Sequence, residues 1–193
     1  MEHLSQEFWD ERYVTNDTGW DLGAIAPPLK AYVDQLKDQD LQVLIPGCGK
    51  GYEAEYMHQQ GFSNVHILDL SALPFEEFRR RVPDFPAGHL HHGDFFRHVG
   101  EYDLVLEQTF FCAIKPSLRP DYARKMHEIL RPGGKLVGLL FDKVPLEGPP
   151  YGGDVDEYLE YFQPYFTHIS MERCYNSVPP RQERELFIRL KKK

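Results

Sequence analysis

Positive charge is in short supply in this chain. Its 22 lysines and arginines face 30 aspartates and glutamates, for a formal net charge of −8 and a pI near 5.6. Nucleic-acid binding draws most of its affinity from cations laid against phosphates, so a surface this acidic excludes RNA and DNA as expected partners and favours a small molecule. Cysteine is also scarce. Cys48, Cys112 and Cys174 are odd in number and widely spaced, which offers neither a disulfide framework nor a zinc pattern and implies a reducing, cytoplasmic setting. No apolar run approaches the roughly 20 residues of a membrane span, and the opening stretch MEHLSQEFWDERY is polar rather than leader-like. Repeats, low-complexity tracts and interdomain linkers are missing as well. The 193 residues therefore read as one soluble domain, with nothing that requires more than a monomer.

Two familiar phosphate-binding patterns fail at the glycine cluster Gly47-Cys48-Gly49-Lys50-Gly51. The third glycine comes one place too early for the dinucleotide fingerprint. Gly49-Lys50 is followed by Gly51 rather than the Ser or Thr of a phosphate loop. What is present is a short apolar run, Leu41 to Pro46, emptying into that cluster, then helix formers from Tyr52 to Gln60 stopped by Gly61, then a second run from Val65 to Leu68 that delivers Asp69. The glycines let the backbone bend and approach a ligand, with the start of the following helix offering unpaired N–H groups. An acid roughly 20 residues further on, at the end of the next parallel strand, can accept both hydroxyls of a ribose. A nucleoside-containing cofactor is expected, and the loop IPGCGKGYE resembles that of S-adenosylmethionine (SAM) methyltransferases.

Upstream, Ser5 caps an expected helix from Gln6 to Val14 bearing Phe8, Trp9 and Tyr13, and Trp20 follows in a turn-rich segment. These aromatics suit either a flap over the cofactor or packing against the sheet edge. Leu29 to Lys37 reads as an amphipathic helix with Leu29, Val33 and Leu36 inward. Beyond Asp69, Ser71 is placed to open a helix through Phe75, Phe78 and Val82, and a strand is expected near Gly88 to His91. It ends in Gly93-Asp94-Phe95-Phe96, an acid and aromatics that could hydrogen-bond and stack on adenine or form an ordinary turn over a buried pair. His89 and His91 share a strand face without a third ligand at usual spacing, so they read as packed or solvent-facing and no metal site is expected.

The fourth strand, Tyr102 to Glu107, empties into Gln108-Thr109-Phe110-Phe111-Cys112-Ala113. The Asn/Asp-Pro-Pro-Tyr/Phe pattern of many amine methyltransferases is missing there. Gly148-Pro149-Pro150-Tyr151 falls later and reads as part of a lid. Arg119 to Leu130 is an expected helix, Arg131 to Gly134 a turn and Leu136 to Phe141 the fifth strand. Asp154 caps a helix through Phe162, and an antiparallel pair near Phe166 to Cys174 and Glu185 to Leu190 closes the sheet. The terminal lysines read as a solubilising tail. This alternation predicts a three-layer α/β Rossmann-like sandwich with the cofactor over the carboxyl ends of the strands.

Taken together and in order, FWDERY with GWDLG, IPGCGKGYE, LDLS, GDFF, QTFFCAI, LRPGGKL and GPPY resemble the thiopurine S-methyltransferase superfamily, especially the branch of plant halide and thiol methyltransferases. The resemblance implies a seven-stranded, mostly parallel sheet with an antiparallel last strand, and SAM as cofactor. It implies that Trp9, Tyr13 and Trp20 belong to an N-terminal flap, residues 1–38, that closes over SAM. By the same likeness Gly47 makes the glycine-loop contact, Asp69 holds the ribose, and Asp94 and Phe95 meet adenine. Gln108 occupies a cofactor-contact position where relatives carry arginine or tyrosine. The implied reaction is direct displacement at the sulfonium methyl by a small thiolate, thiopurine or halide-like anion, which brings its own electron pair and needs no dedicated base, so no catalytic residue is assigned. A non-catalytic SAM sensor and a nicotinamide oxidoreductase are the competing expectations.

Overall fold

The computed structural model describes residues 4–145 and 147–193. Fourteen helices and strands succeed one another, with short 3-10 turns between them. They are α1 (Gln6–Val14), α2 (Pro27–Val33), β1 (Val43–Pro46), α3 (Tyr52–Gln59), β2 (Val65–Asp69), α4 (Leu73–Arg81) and β3 (Leu90–His92). Then come β4 (Tyr102–Gln108), α5 (Phe110–Ala113), α6 (Arg119–Ile129), β5 (Leu130–Phe141), α7 (Val155–Phe162), β6 (Phe166–Arg173) and β7 (Glu185–Lys192). The strands form one sheet in the order β3-β2-β1-β4-β5-β7-β6. β1 runs parallel to β2 and to β4, and β7 lies antiparallel between β5 and β6. This is the expected Rossmann-like sheet.

The central strands β1, β2 and β4 are largely apolar runs because both faces are buried. Val43 and Ile45 of β1 point into one core with Ile67, Leu104 and Leu106, against α2, α3 and α4. Leu44 points into the other with Leu68, Val105, Leu136 and Leu140, against α6 and α7. The chain order reverses between β1 and β4, and the groove at that reversal, outside the carboxyl ends of the strands, is where doubly wound sheets bind ligands.

Several boundaries differ from expectation. α2 starts at Pro27, where a missing N–H costs nothing, and gives way after Val33 to tighter turns that still set Leu36 against the core. The helix after Asp69 begins at Leu73 instead of beside Ser71, although the Ser71 hydroxyl still accepts the Leu73 N–H at 3.2 Å. Arg131 to Gly134 is not a separate turn. It belongs to β5, where a bulge keeps the strand paired with β4. The terminal lysines are not merely a tail, since Lys191 and Lys192 lie in β7 and Lys192 Nζ donates to the Leu130 carbonyl at 2.6 Å. His66 joins His89 and His91 in a stacked pile on the β2–β3 edge, with His66 Nδ1 at 3.0 Å from His91 Nε2. Among the described residues no helix is long and apolar enough to cross a membrane.

Candidate active site

The turn after β1 bends under constraint. Gly47 has φ +58°, and a Cβ there would lie 2.3 Å from Phe110 Cδ2. Backbone and ring therefore fit only because no side chain intervenes. The loop then reaches across to β2. Asp69 Oδ2 accepts the Gly49 N–H at 2.9 Å and Oδ1 accepts the Ser71 N–H at 2.9 Å. Burial pushes this carboxyl up to about 6, against the lowering effect of the Ser71, Gly49 and Leu70 amides. A carboxylate has about four lone-pair sites, so these amides leave it capacity for a further donor. Gly49 spends its amide on Asp69, and Tyr52 and Glu53 at the start of α3 line a small recess of about 30 Å³ that shares Trp20, Gly47 and Gln108 with the main cavity.

A cavity of about 780 Å³ opens above these groups, within the roughly 300–1,000 Å³ of small-molecule sites. It brings together all eight residues singled out from the sequence: Trp9, Tyr13, Trp20, Gly47, Asp69, Asp94, Phe95 and Gln108. Trp20 meets Trp9 and Tyr13 edge to face, with ring centres 5.6 and 5.8 Å away. Burial holds the ionisation of the Tyr13 hydroxyl well above the usual range, against a lowering effect of the neighbouring Trp20 indole. A Cβ on Gly49 would lie 3.5 Å from the Tyr13 oxygen and 3.7 Å from Trp20 Nε1, so the aromatic cluster sits on the glycine loop. Asp94 Oδ1 accepts the Phe96 N–H at 2.9 Å, which caps a 3-10 turn, and Phe95 is mostly buried against Phe110 and Tyr122. Half-buried Phe96 shares the wall.

Across the reversal point, β4 ends in a forced corner. Thr109 holds φ +58°, an uncommon conformation for a β-branched residue. It turns the chain from β4 into α5, whose Phe111 N–H donates to Glu107 Oε1 at 2.8 Å. Burial pushes the Glu107 carboxyl up to about 8. Phe110, Ala113, Ile114 and Leu118 then face the cavity with Phe141, Val144, Pro149 and Pro150. The loop carrying those prolines is fastened from below. Fully buried Arg119 donates to the carbonyls of Tyr151 and Gly152 at 3.0 and 2.8 Å and to Glu157 at 3.1 Å.

The sequence reading missed Lys115, Arg181 and Arg184, which also line this half. Lone basic residues near loops carry no signal of their own. Together they give the cavity a polarity. Asp69 and Asp94 mark the β2–β3 side, Arg12 and Asp17 pair with each other on the N-terminal segment, and the β4–β5 side is lined by apolar residues, Gln108, Thr109 and the three cations. The charge of Arg181 is matched from behind by Glu185 at 3.2 Å.

A glycine-bent loop, an acid closing the neighbouring strand and a cavity over the reversal point define a class I SAM-binding site by fold and form. Comparison with known proteins agrees. Residues 4–191 match the thiopurine S-methyltransferase (TPMT) family. The chain is 32% identical over 202 residues to a probable thiol methyltransferase 2 of Arabidopsis thaliana, covering 100% of this chain and 88% of that protein. It is 30% identical over 196 residues to thiocyanate methyltransferase 1 of the same plant, covering 95% and 84%. A similar solved structure is the 1,6-didemethyltoxoflavin-N1-methyltransferase of Burkholderia thailandensis, with bound 1,6-didemethyltoxoflavin and S-adenosylhomocysteine. It superposes with a TM-score of 0.78 at 19% identity, over 97% of this chain and 86% of that one. The chain belongs to the thiopurine S-methyltransferase family. It is a SAM-dependent S-methyltransferase.

Proposed function

We propose that the cavity receives SAM on the β1–β3 side and a small anionic sulfur nucleophile, a thiolate or thiocyanate, on the β4–β5 side. The carrying observation is the split of charge across the floor of the cavity: Asp69 and Asp94 where a ribose and an adenine amine need acceptors, Lys115 and Arg184 where an anion would enter, with Arg12 and Asp17 of the N-terminal segment paired to each other. In this reading Asp69 holds the ribose, Gly47 admits the ligand backbone-close, Asp94 and Phe95 meet the adenine, and Gln108 faces the donor at the reversal point. Residues 1–38, of which 1–3 lie outside the described residues, act as the flap of one domain, Trp9, Tyr13 and Trp20 excluding water from above.

When bound, SAM supplies a methyl group activated on a sulfonium. The protein's part is to align, desolvate and neutralise. Lys115 and Arg184 favour the ionised form of an ordinary thiol, whose pKa near 8.5 leaves only a few per cent as thiolate at pH 7. Phe110, Ile114, Phe141 and Val144 remove the water that would otherwise shield the nucleophile. Proton abstraction by a dedicated base is unnecessary.

Labelled-methyl transfer from SAM across thiols, thiocyanate, halides, amines and alcohols tests the assignment. Transfer to thiols or thiocyanate is expected. Transfer confined to amines or alcohols, or to none of the panel, would overturn it.

A further inference from the structure

The chain from α1 to the start of α2 touches the rest of the protein at few polar points. Ser71 donates its hydroxyl to Asp10. Asp21 pairs with Lys50 at 2.9 Å. The Ala26 N–H reaches Glu53 at 3.2 Å, which fixes only where the segment joins α2. The fourth point differs in kind. Arg181, just before β7, donates from Nη2 to the Trp20 carbonyl at 2.7 Å and from Nη1 to Glu185 at 3.2 Å, and its guanidinium lies 5.4 Å from the Phe141 ring centre. Arg181 and Glu185 are both buried.

We propose that Arg181 is the fastening that holds the aromatic flap shut, a positioning residue acting through Trp20. Its partners come from three places: the flap, the end of β5 and the start of β7. A planar guanidinium can bridge a carbonyl and a carboxylate at fixed angles, which an ammonium cannot. The Asp21–Lys50 pair is more open to water and contributes less. Because Arg181 grips the main chain of Trp20, it sets the position of the ring that in turn meets Trp9, Tyr13 and the glycine loop. The fastening stands on these contacts alone. That the flap covers SAM rests on the reading above.

The chain has two tryptophans, Trp9 and Trp20, and both are in the flap, so intrinsic fluorescence reports this segment selectively. In the ligand-free protein, Arg181→Lys keeps a cation beside Glu185 but gives up the bridge. It should raise acrylamide quenching about twofold and shift emission to the red, with the melting temperature close to wild type. A double variant, Arg181→Gln with Glu185→Gln, leaves no lone buried charge and should behave alike. The Michaelis constant for SAM should rise roughly tenfold with kcat changing less, as expected when a cover is loosened and the reacting groups are kept. Wild-type quenching in both variants would overturn the proposal. Increased quenching with unchanged SAM binding by calorimetry would uphold the fastening and overturn the reading of the flap as the donor's cover.

Discussion

The Asp69 carboxylate takes the Gly49 amide at 2.9 Å, so the acid closing β2 and the loop leaving β1 are joined directly. The residue assigned to the ribose thus also holds the shape of the turn beside it. Replacing it tests two functions at once, and the choice of replacement separates them.

Asp69→Asn keeps an oxygen able to accept one of the two amides, whereas Asp69→Ala leaves the Gly49 and Ser71 N–H groups without that partner. Both should weaken SAM binding by about 1–3 kcal/mol, and the alanine variant, which loses both acceptors, should cost more folding stability than the asparagine variant, about 1–2 kcal/mol. In the wild type, SAM affinity should be flat above neutrality and fall as pH drops through about 6, where Asp69 takes up a proton. The raised carboxyl acts on stability in the opposite sense: in the ligand-free protein its contribution is fully present below pH 3.8 and lost as pH rises through about 6. Calorimetric titrations with SAM between pH 5 and pH 8, paired with urea melts, check both signs.

Glu107 makes a sharper pH prediction because it is fully buried. Its carboxyl moves from 4.5 to about 8 on folding. Its contribution is complete below pH 4.5 and disappears as pH rises through 8. Glu107→Gln retains the acceptor for Phe111 N–H and cannot ionise, so it should gain about 2 kcal/mol over wild type near pH 7. That gain should vanish in mild acid. Urea denaturation of both proteins at several pH values measures it, and a pH-independent difference would count against the assignment.

At Gly47 backbone and packing point the same way. Gly47→Ala sets a methyl 2.3 Å from Phe110 Cδ2 at φ +58° and should cost about 2 kcal/mol. Since Phe110 is the clashing partner, Phe110→Ala in the same chain should recover part of the loss, giving a double-mutant cycle that does not add.

Arg119 supports the prolines over the acceptor side through the Tyr151 and Gly152 carbonyls. Arg119→Met preserves bulk and leaves Glu157 partly in solvent. The Michaelis constant for the acceptor should rise by roughly tenfold with SAM affinity unchanged. Steady-state kinetics with each substrate varied in turn distinguish this from a general loss of fold.

These variants divide along what the sequence could and could not reveal. Local chemistry was readable: Ser5 and Asp154 each accept the N–H three residues on, at 3.3 and 2.9 Å, and both helices begin where those caps indicate. The glycine turn and the acid closing β2 were readable because each is dictated by its own strand end. Arg131 to Gly134 misled because glycine and proline mark a turn and a bulge alike, and only pairing with β4 decides between them. Arg119 and Arg181 were invisible as buried residues, since arginine is ordinarily a surface residue and the carbonyls they grip lie far away in the chain. His66 joined the histidine pile for a similar reason, being brought there by strand pairing.

One consequence concerns how such an enzyme can change its diet. The segment proposed to cover the donor and the loop proposed to cover the acceptor are pinned by different arginines, Arg181 and Arg119, on different elements. Exchange of residues 147–153 for a relative's is expected to change the acceptor and to leave the Arg181–Trp20 contact in place.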